Sequence, residues 1–165
     1  GVMSRRGRRE APTAKPKIRE MRHGDVSQVA AIEQTSSATP WTRAMFTAEI
    51  GRPQSLDLVV VRSDEVHGYC RTSTQAAVWH IPTICVREDG RGKGLGGRLR
   101  DELFVRAARR PHAGYTLEVR VSNFVAIRLY RRKGFTDYGI RPGYYSNNHE
   151  DALVMWRAGV PDLAR

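Results

Sequence analysis

Hydrophobic spacing along this chain switches between two residues, the period of a strand, and nearly four, the period of a helix. Residues 17–22 read as a first strand. Val29 and Ile32 then lie on one inner stripe of a helix expected over 26–35, with Asp25 as its N-cap and Gln28 in the capping-box position. Thr42 stands where it can cap a short second helix carrying Phe46 and Ile50. Residues 56–62 and 66–72 read as a hairpin around Ser63-Asp64-Glu65, and 77–86 as a fourth strand. Leu95, Leu99 and Leu103 recur every four residues, the buried stripe of a long helix ending near Arg110. A fifth strand follows at 115–121. Asn123 caps a helix that Gly134 terminates, and 135–140 and 152–157 are the last two strands.

The break between the fourth strand and the long helix says most about chemistry. Arg91-Gly92-Lys93-Gly94-Leu95-Gly96 puts three glycines at alternate positions where a helix must begin. Glycine lets backbone come close to a ligand and adopt positive φ. The first turn of a helix leaves N–H groups unpaired and carries a partial positive charge, which together attract anions. The segment is therefore a candidate seat for a phosphate or diphosphate; the plain alternative is a glycine-rich turn. It is not a P-loop, because Arg98 and Leu99 stand where that motif needs lysine and a hydroxyl residue. A dinucleotide fingerprint can be laid on Gly92, Gly94 and Gly97. The acid it needs about 20 residues on would be Glu118, which lies inside a strand rather than at its end. Strand, loop, helix and strand over 77–121 form a βαβ unit, so its two strands are expected to be parallel. Pro82 cannot donate to a ladder and marks either an interruption of pairing or an ordinary edge position.

Composition changes the picture little. The chain has 165 residues, 40% of them hydrophobic, which suits one domain with its own core. No apolar run reaches the ~18 residues of a membrane span. The arginine-rich start has no apolar segment after it, unlike a secretory signal. Cys70 and Cys85 both fall in expected strands and suit a reduced, cytoplasmic setting better than a disulfide framework. Net charge is +11, of which residues 1–17 supply +5. The chain thus divides into a basic, disordered tail at 1–16, a domain at 17–158 and a short tail at 159–165. The basic tail is either a solvated extension or a weak electrostatic tether to RNA. No His/Cys/Asp cluster has metal-ligand spacing, so no metal is expected.

Several separated motifs converge. R-x-x-G-x-G from Arg91 to Gly96 resembles the pyrophosphate motif of the GNAT N-acetyltransferases. Leu117-Glu118-Val119-Arg120, Ser122-Asn123, Ala126-Ile127, Leu129-Tyr130 and Gly134-Phe135 follow in the order and spacing of the RimI-type branch of that family. Pro40-Trp41 with Phe46 and Glu49, and Gly143-Tyr144-Tyr145 with Glu150-Asp151-Ala152 and Met155, agree with the same branch. The resemblance covers about residues 17 to 157 and implies an α/β (α+β) GNAT fold. That fold has a mixed central sheet of about seven strands, a splayed parallel pair and about four flanking helices. It also implies acetyl transfer from acetyl-CoA to the N-terminal amine of a protein, the alanine of a small-subunit ribosomal protein in that branch.

By the same resemblance, acetyl-CoA would lie against Ile84, Cys85, Val86, Arg91, Gly92, Lys93, Gly94, Leu95, Gly96, Asn123 and Tyr130. Trp41, Glu49, Tyr144 and Tyr145 would wall the peptide groove, with core packing the plainer role for Trp41 and Phe46. Glu118 and Tyr130 match the base and acid proposed for the branch. An amine must be neutral to attack and a departing thiolate gains from a proton, so a carboxylate and a phenol fit the chemistry. Burial of Glu118 in an apolar strand is expected to raise its pKa toward the working range. The alternatives are that Glu118 pairs with an arginine and that Tyr130 is core. Other functions stay open: a GNAT enzyme for a small amine or lysine side chain, or a regulatory, nucleic-acid-associated module that binds acetyl-CoA. A monomer or weak dimer without membrane attachment is expected.

Overall fold

The computed structural model describes residues 14–82, 84–110 and 112–159. Strands β1 (Lys17–Glu20), β2 (Ser55–Arg62), β3 (Glu65–Gln75), β4 (Val78–His80), β5 (Cys85–Val86), β6 (Gly114–Arg120), β7 (Thr136–Arg141) and β8 (Ala152–Ala158) form one sheet. Its order is β1-β2-β3-β4-β6-β8-β7, with β5 paired to β3 off this path. Every pairing is antiparallel except β4 with β6. Helices α1 (Val26–Ser36) and α2 (Arg43–Glu49) belong to one layer, α3 (Leu95–Ala107) and α4 (Phe124–Arg132) to the other.

Strand β2 explains the two layers. Leu56, Leu58 and Val60 pack with Leu95, Leu99 and Leu103 of α3, while Val59 between them packs with Val29, Ile32 and Phe46. A strand covered on both faces reads as a continuous apolar run, as Leu58-Val59-Val60-Val61 does. The leucine stripe of α3 is buried as expected. Two of the expected caps form: Thr42 Oγ1 accepts from Met45 N at 3.2 Å, and Asn123 Oδ1 accepts from Ala126 N at 3.1 Å.

Two expectations at the start of α1 fail. Asp25 does not cap α1 with its side chain. Its carboxylate accepts from Arg19 at 2.7 and 2.9 Å and from Arg22 N at 2.8 Å, tying β1 to the entry of the helix. Gln28 is no capping-box residue either, because its Oε1 accepts from Val66 N at 2.8 Å, 38 residues away. The continuous strand expected at 77–86 is two pieces. Ala76 and Ala77 (φ 51° and 61°) turn the chain from β3 into β4, which stays in register with β6 to His80. Ile81 N still donates to Thr116 O at 2.8 Å. Pro82 has no N–H to continue the ladder, and β5 pairs instead with β3, at Gly68 and Tyr69. A Cβ on Gly68 would stand 2.8 Å from Cys85 O, so the close seating of β5 requires glycine there. The parallel pair thus opens after His80, at the carboxyl ends of its strands, where α/β sheets place ligands. The basic tail expected at 1–16 lies, for its first 13 residues, outside the described residues, as do positions 160–165.

Candidate active site

The opening between β4 and β6 is flanked by three cavities. One, of about 600 Å³, lies over the glycine loop and is lined by Ile84, Cys85, Val86, Arg91, Gly92, Gly94, Leu95 and Gly96 among others. The second, of about 340 Å³, runs along α3 and α4 and is lined by Pro82, Ile84, Gly96, Gly97, Arg100, Glu118, Asn123, Tyr130 and Tyr145 among others. The third, of about 350 Å³, is lined by Glu33, Tyr69, Arg71, His80, Pro82, Cys85, Glu118, Tyr144 and Tyr145 among others. Ile84 and Cys85 border two of these spaces, and Glu118 and Tyr145 border the second and third. The glycine loop and Glu118 therefore stand at opposite ends of connected linings.

The loop has the features of an anion seat. Gly92 and Gly94 hold φ of 78° and 73°, which side-chain-bearing residues rarely adopt. A Cβ at either would meet nothing within 4 Å, so the cradle above them is open. No side chain caps α3, whose first helical bond runs from Arg98 N to Gly94 O at 3.1 Å. The N–H groups of its first turn are free for a ligand. Arg91 is tied back to Val86 O at 3.3 Å, while Lys93 is exposed on the loop. Within the sheet, β5 pairs only with β3 among the described residues, which leaves its other edge open toward the gap. These features fit the diphosphate and amide-bearing arm of a coenzyme A thioester: an anion seat, then an unpaired strand edge.

At the far end Glu118 reaches the gap from the face of β6 opposite the core residues Leu117 and Val119. Its side chain is only 9% exposed. His80, at the carboxyl end of β4, donates from Nε2 to Oε2 of Glu118. Arg141 Nε lies 3.6 Å from the other oxygen. The hydrogen bond from His80 outweighs desolvation and holds the carboxyl below the usual carboxylate range, with Arg141 acting the same way. The expected rise in pKa is thus reversed, because two cationic or donor side chains from β4 and β7 reach a group that an isolated strand would have left among apolar neighbours. Residue His80 escaped sequence reasoning. Its signal was parity: Trp79 faces the core, so His80 faces the side of the sheet that Thr116 and Glu118 share.

Tyr130 is 9% exposed, stacks edge-on against Phe135 and receives a hydrogen bond from Arg100 Nε at 3.2 Å. Tyr144 and Tyr145 pack nearly perpendicular, with ring centroids 5.1 Å apart, on the connection before β8. Arg120 fixes that connection, lying 3.9 Å over Tyr145 and bonding to Glu150 at 3.1 Å. Trp41 and Glu49 stand one step back. Arg71 lies 3.3 Å over the Trp41 ring and 3.7 Å from Glu49 Oε2, and it is Arg71 that lines the third cavity. Across that cavity, Glu33 Oε2 and the Tyr69 hydroxyl are buried without a hydrogen-bond partner among the described residues. Burial pushes the Cys85 thiol up, as it does the Tyr69 phenol. Among the described residues no three His, Cys, Asp or Glu side chains are placed to hold a metal, and no helix is long and apolar enough to cross a membrane.

The chain belongs to the Acetyltransferase (GNAT) family, whose match covers residues 26–135. It is an N-acetyltransferase, and its relatives narrow the class. A Bacillus subtilis protein whose name proposes it as a ribosomal protein bS18-alanine N-acetyltransferase is 35% identical over 143 residues, 86% of this chain and 95% of that one. The enzyme so named from Salmonella typhimurium is 33% identical over 126 residues, 75% of this chain and 84% of that one. The crystal structure of the Escherichia coli ribosomal-protein-S18-alanine N-acetyltransferase superposes with a TM-score of 0.77 at 27% identity, covering 92% of this chain and 99% of that one. The RimI-type resemblance is thereby established.

Proposed function

We propose that this enzyme transfers acetyl from acetyl-CoA to the N-terminal α-amine of a protein, with the alanine of a bS18-type ribosomal protein as its acceptor. The observation that carries the reading is the opening in the sheet, bordered by cavities that share lining residues, with the glycine loop at one end and a buried Glu118 bonded to His80 at the other. Relatives named for bS18 alanine acetylation, similar over most of their length, support the choice of acceptor.

In this reading the free N–H groups of Gly92–Gly96 and the first turn of α3 bind the diphosphate of acetyl-CoA. The open edge of β5, at Ile84, Cys85 and Val86, pairs with the pantetheine arm, and one of its N–H groups polarises the thioester carbonyl. Asn123 borders the same slot. Tyr144 and Tyr145 flank the entering peptide, and Trp41 and Glu49 act through Arg71. The neutral amine attacks the carbonyl carbon. Glu118 takes the proton that the nitrogen sheds, directly or through a water, and Tyr130 gives its hydroxyl proton to the departing sulfur. Acetylation assays with an N-terminal alanine peptide, a lysine peptide with a blocked N-terminus and an aminoglycoside test this. Modification of the α-amine alone is expected; faster acetylation of either other acceptor overturns it.

A further inference from the structure

Arg100 is an odd residue for its place. It follows Leu99 on α3 and is half-buried against α4, where it lines the cofactor-side cavity with Gly96, Asn123 and Tyr130. Its neighbours Asp101 and Glu102 are engaged elsewhere, with Lys133 at 2.9 Å and Arg106 at 2.8 Å. Among the described residues no carboxylate pairs with Arg100. Its one side-chain hydrogen bond among the described residues runs from Nε to the Tyr130 hydroxyl, 3.2 Å away.

A guanidinium can only donate, so this bond uses a lone pair of the hydroxyl oxygen. The hydroxyl proton has no protein acceptor among the described residues and is left free to point into the cavity that both side chains line. We propose that Arg100 is a positioning residue for Tyr130, aiming its O–H at the thioester sulfur and keeping a fixed positive charge where negative charge appears. As the C–S bond breaks, its electron pair stays on sulfur and takes the proton from Tyr130 Oη. The phenolate formed is held by the Arg100 N–H until it recovers a proton from water. The amine nitrogen has meanwhile formed the C–N bond and lost a proton toward Glu118, so the products are amide and free thiol.

This inference rests on the acid role given to Tyr130, and the test separates the two. Turnover and the KM for acetyl-CoA are measured for Tyr130→Phe, Arg100→Met, Arg100→Lys and the Tyr130→Phe/Arg100→Met double variant. Tyr130→Phe is expected to lower kcat about 100-fold. Arg100→Met should lower kcat about tenfold, the worth of one charge-assisted hydrogen bond, with KM for acetyl-CoA within about twofold. Arg100→Lys should recover part of the loss, and the double variant should be no slower than Tyr130→Phe alone. An unchanged kcat in Tyr130→Phe would overturn the acid role itself. If Tyr130→Phe is slow while Arg100→Met is not, or if Arg100→Met raises KM and its effect adds fully to that of Tyr130→Phe, Arg100 serves the cofactor's phosphates and the positioning role is wrong.

Discussion

Replacing Asp57 with asparagine should remove a pH-dependent weakness from the fold. Asp57 lies in the middle of β2, 8% exposed, and its Oδ1 has no hydrogen-bond partner among the described residues. Desolvation, reinforced by Glu49 and Glu20 and only partly opposed by Arg71 and Arg110, pushes its carboxyl from the ordinary 3.8 up to about 7. The folded state therefore keeps a proton that the unfolded chain gives up. Stability from this group is full below about pH 4, falls as pH rises through the window up to about 7, and is flat above it. A shift of about three units corresponds to a ceiling of about 4 kcal/mol. A polar cavity of about 400 Å³ borders Asp57, and water there softens the desolvation, so about 2 kcal/mol is the working value. Urea unfolding of the parent and Asp57→Asn at pH 4.5 and pH 8 measures it. The variant carries its own fixed penalty for a buried amide, so the quantity to follow is the change in the gap between the two proteins. Because part of the effect is already lost at pH 4.5, that gap should move in the variant's favour by about 1 kcal/mol between the two pH values. A gap that stays constant would show that Asp57 is charged in the folded protein throughout.

Other consequences concern the site. Glu118→Gln should fold and bind acetyl-CoA as the parent does yet lose about 100-fold in turnover on an alanine peptide; equal turnover between pH 6 and 9 removes Glu118 from the base role. His80→Ala should let the Glu118 carboxyl rise toward its ordinary range, seen as an upward move of its titration in carbon-13 NMR; an unmoved titration would mean that Arg141 alone sets it. An acceptor peptide starting with 3-fluoroalanine, whose amine is more acidic, should shift the acid limb of kcat/KM downward with the amine. A limb at the same pH for both peptides would assign it to an enzyme group.

What could be read from the sequence was whatever depends on neighbours along the chain. The α3 stripe is a period of four closed within one helix, and Thr42 and Asn123 cap helices that start at their own next residue. Pro82 marked a break as one of two readings, because a missing N–H needs no partner to be noticed. The failures turn on bonds that hydrophobic spacing does not show. Asp25 answers to Arg22 N, three residues back, and to Arg19 on β1, six residues back, and Gln28 answers to the backbone of β3, 38 residues on. Glu118 was found by its motif, but its ionisation depends on His80 and Arg141, which the β4–β6 and β7–β8 registers bring in from 38 positions upstream and 23 downstream.

That reversal changes what Glu118 can do. A free α-amine titrates at about 7.7–8.0 and Glu118 lies below the usual carboxylate range, so moving a proton from the resting ammonium to it is uphill. A carboxylate so held does not generate the nucleophile by itself; solvent sets the fraction of neutral amine. The position changes once the C–N bond begins to form, because a nitrogen bonded to the tetrahedral carbon is a much stronger acid than the free ammonium. In the proposed reaction Glu118, kept ionised by His80 and Arg141, is then a ready acceptor, and the amine proton moves downhill. Under the proposed mechanism, His80 and Arg141 trade proton affinity in the ground state for readiness in the step that commits the acetyl group, which fits a base that acts late.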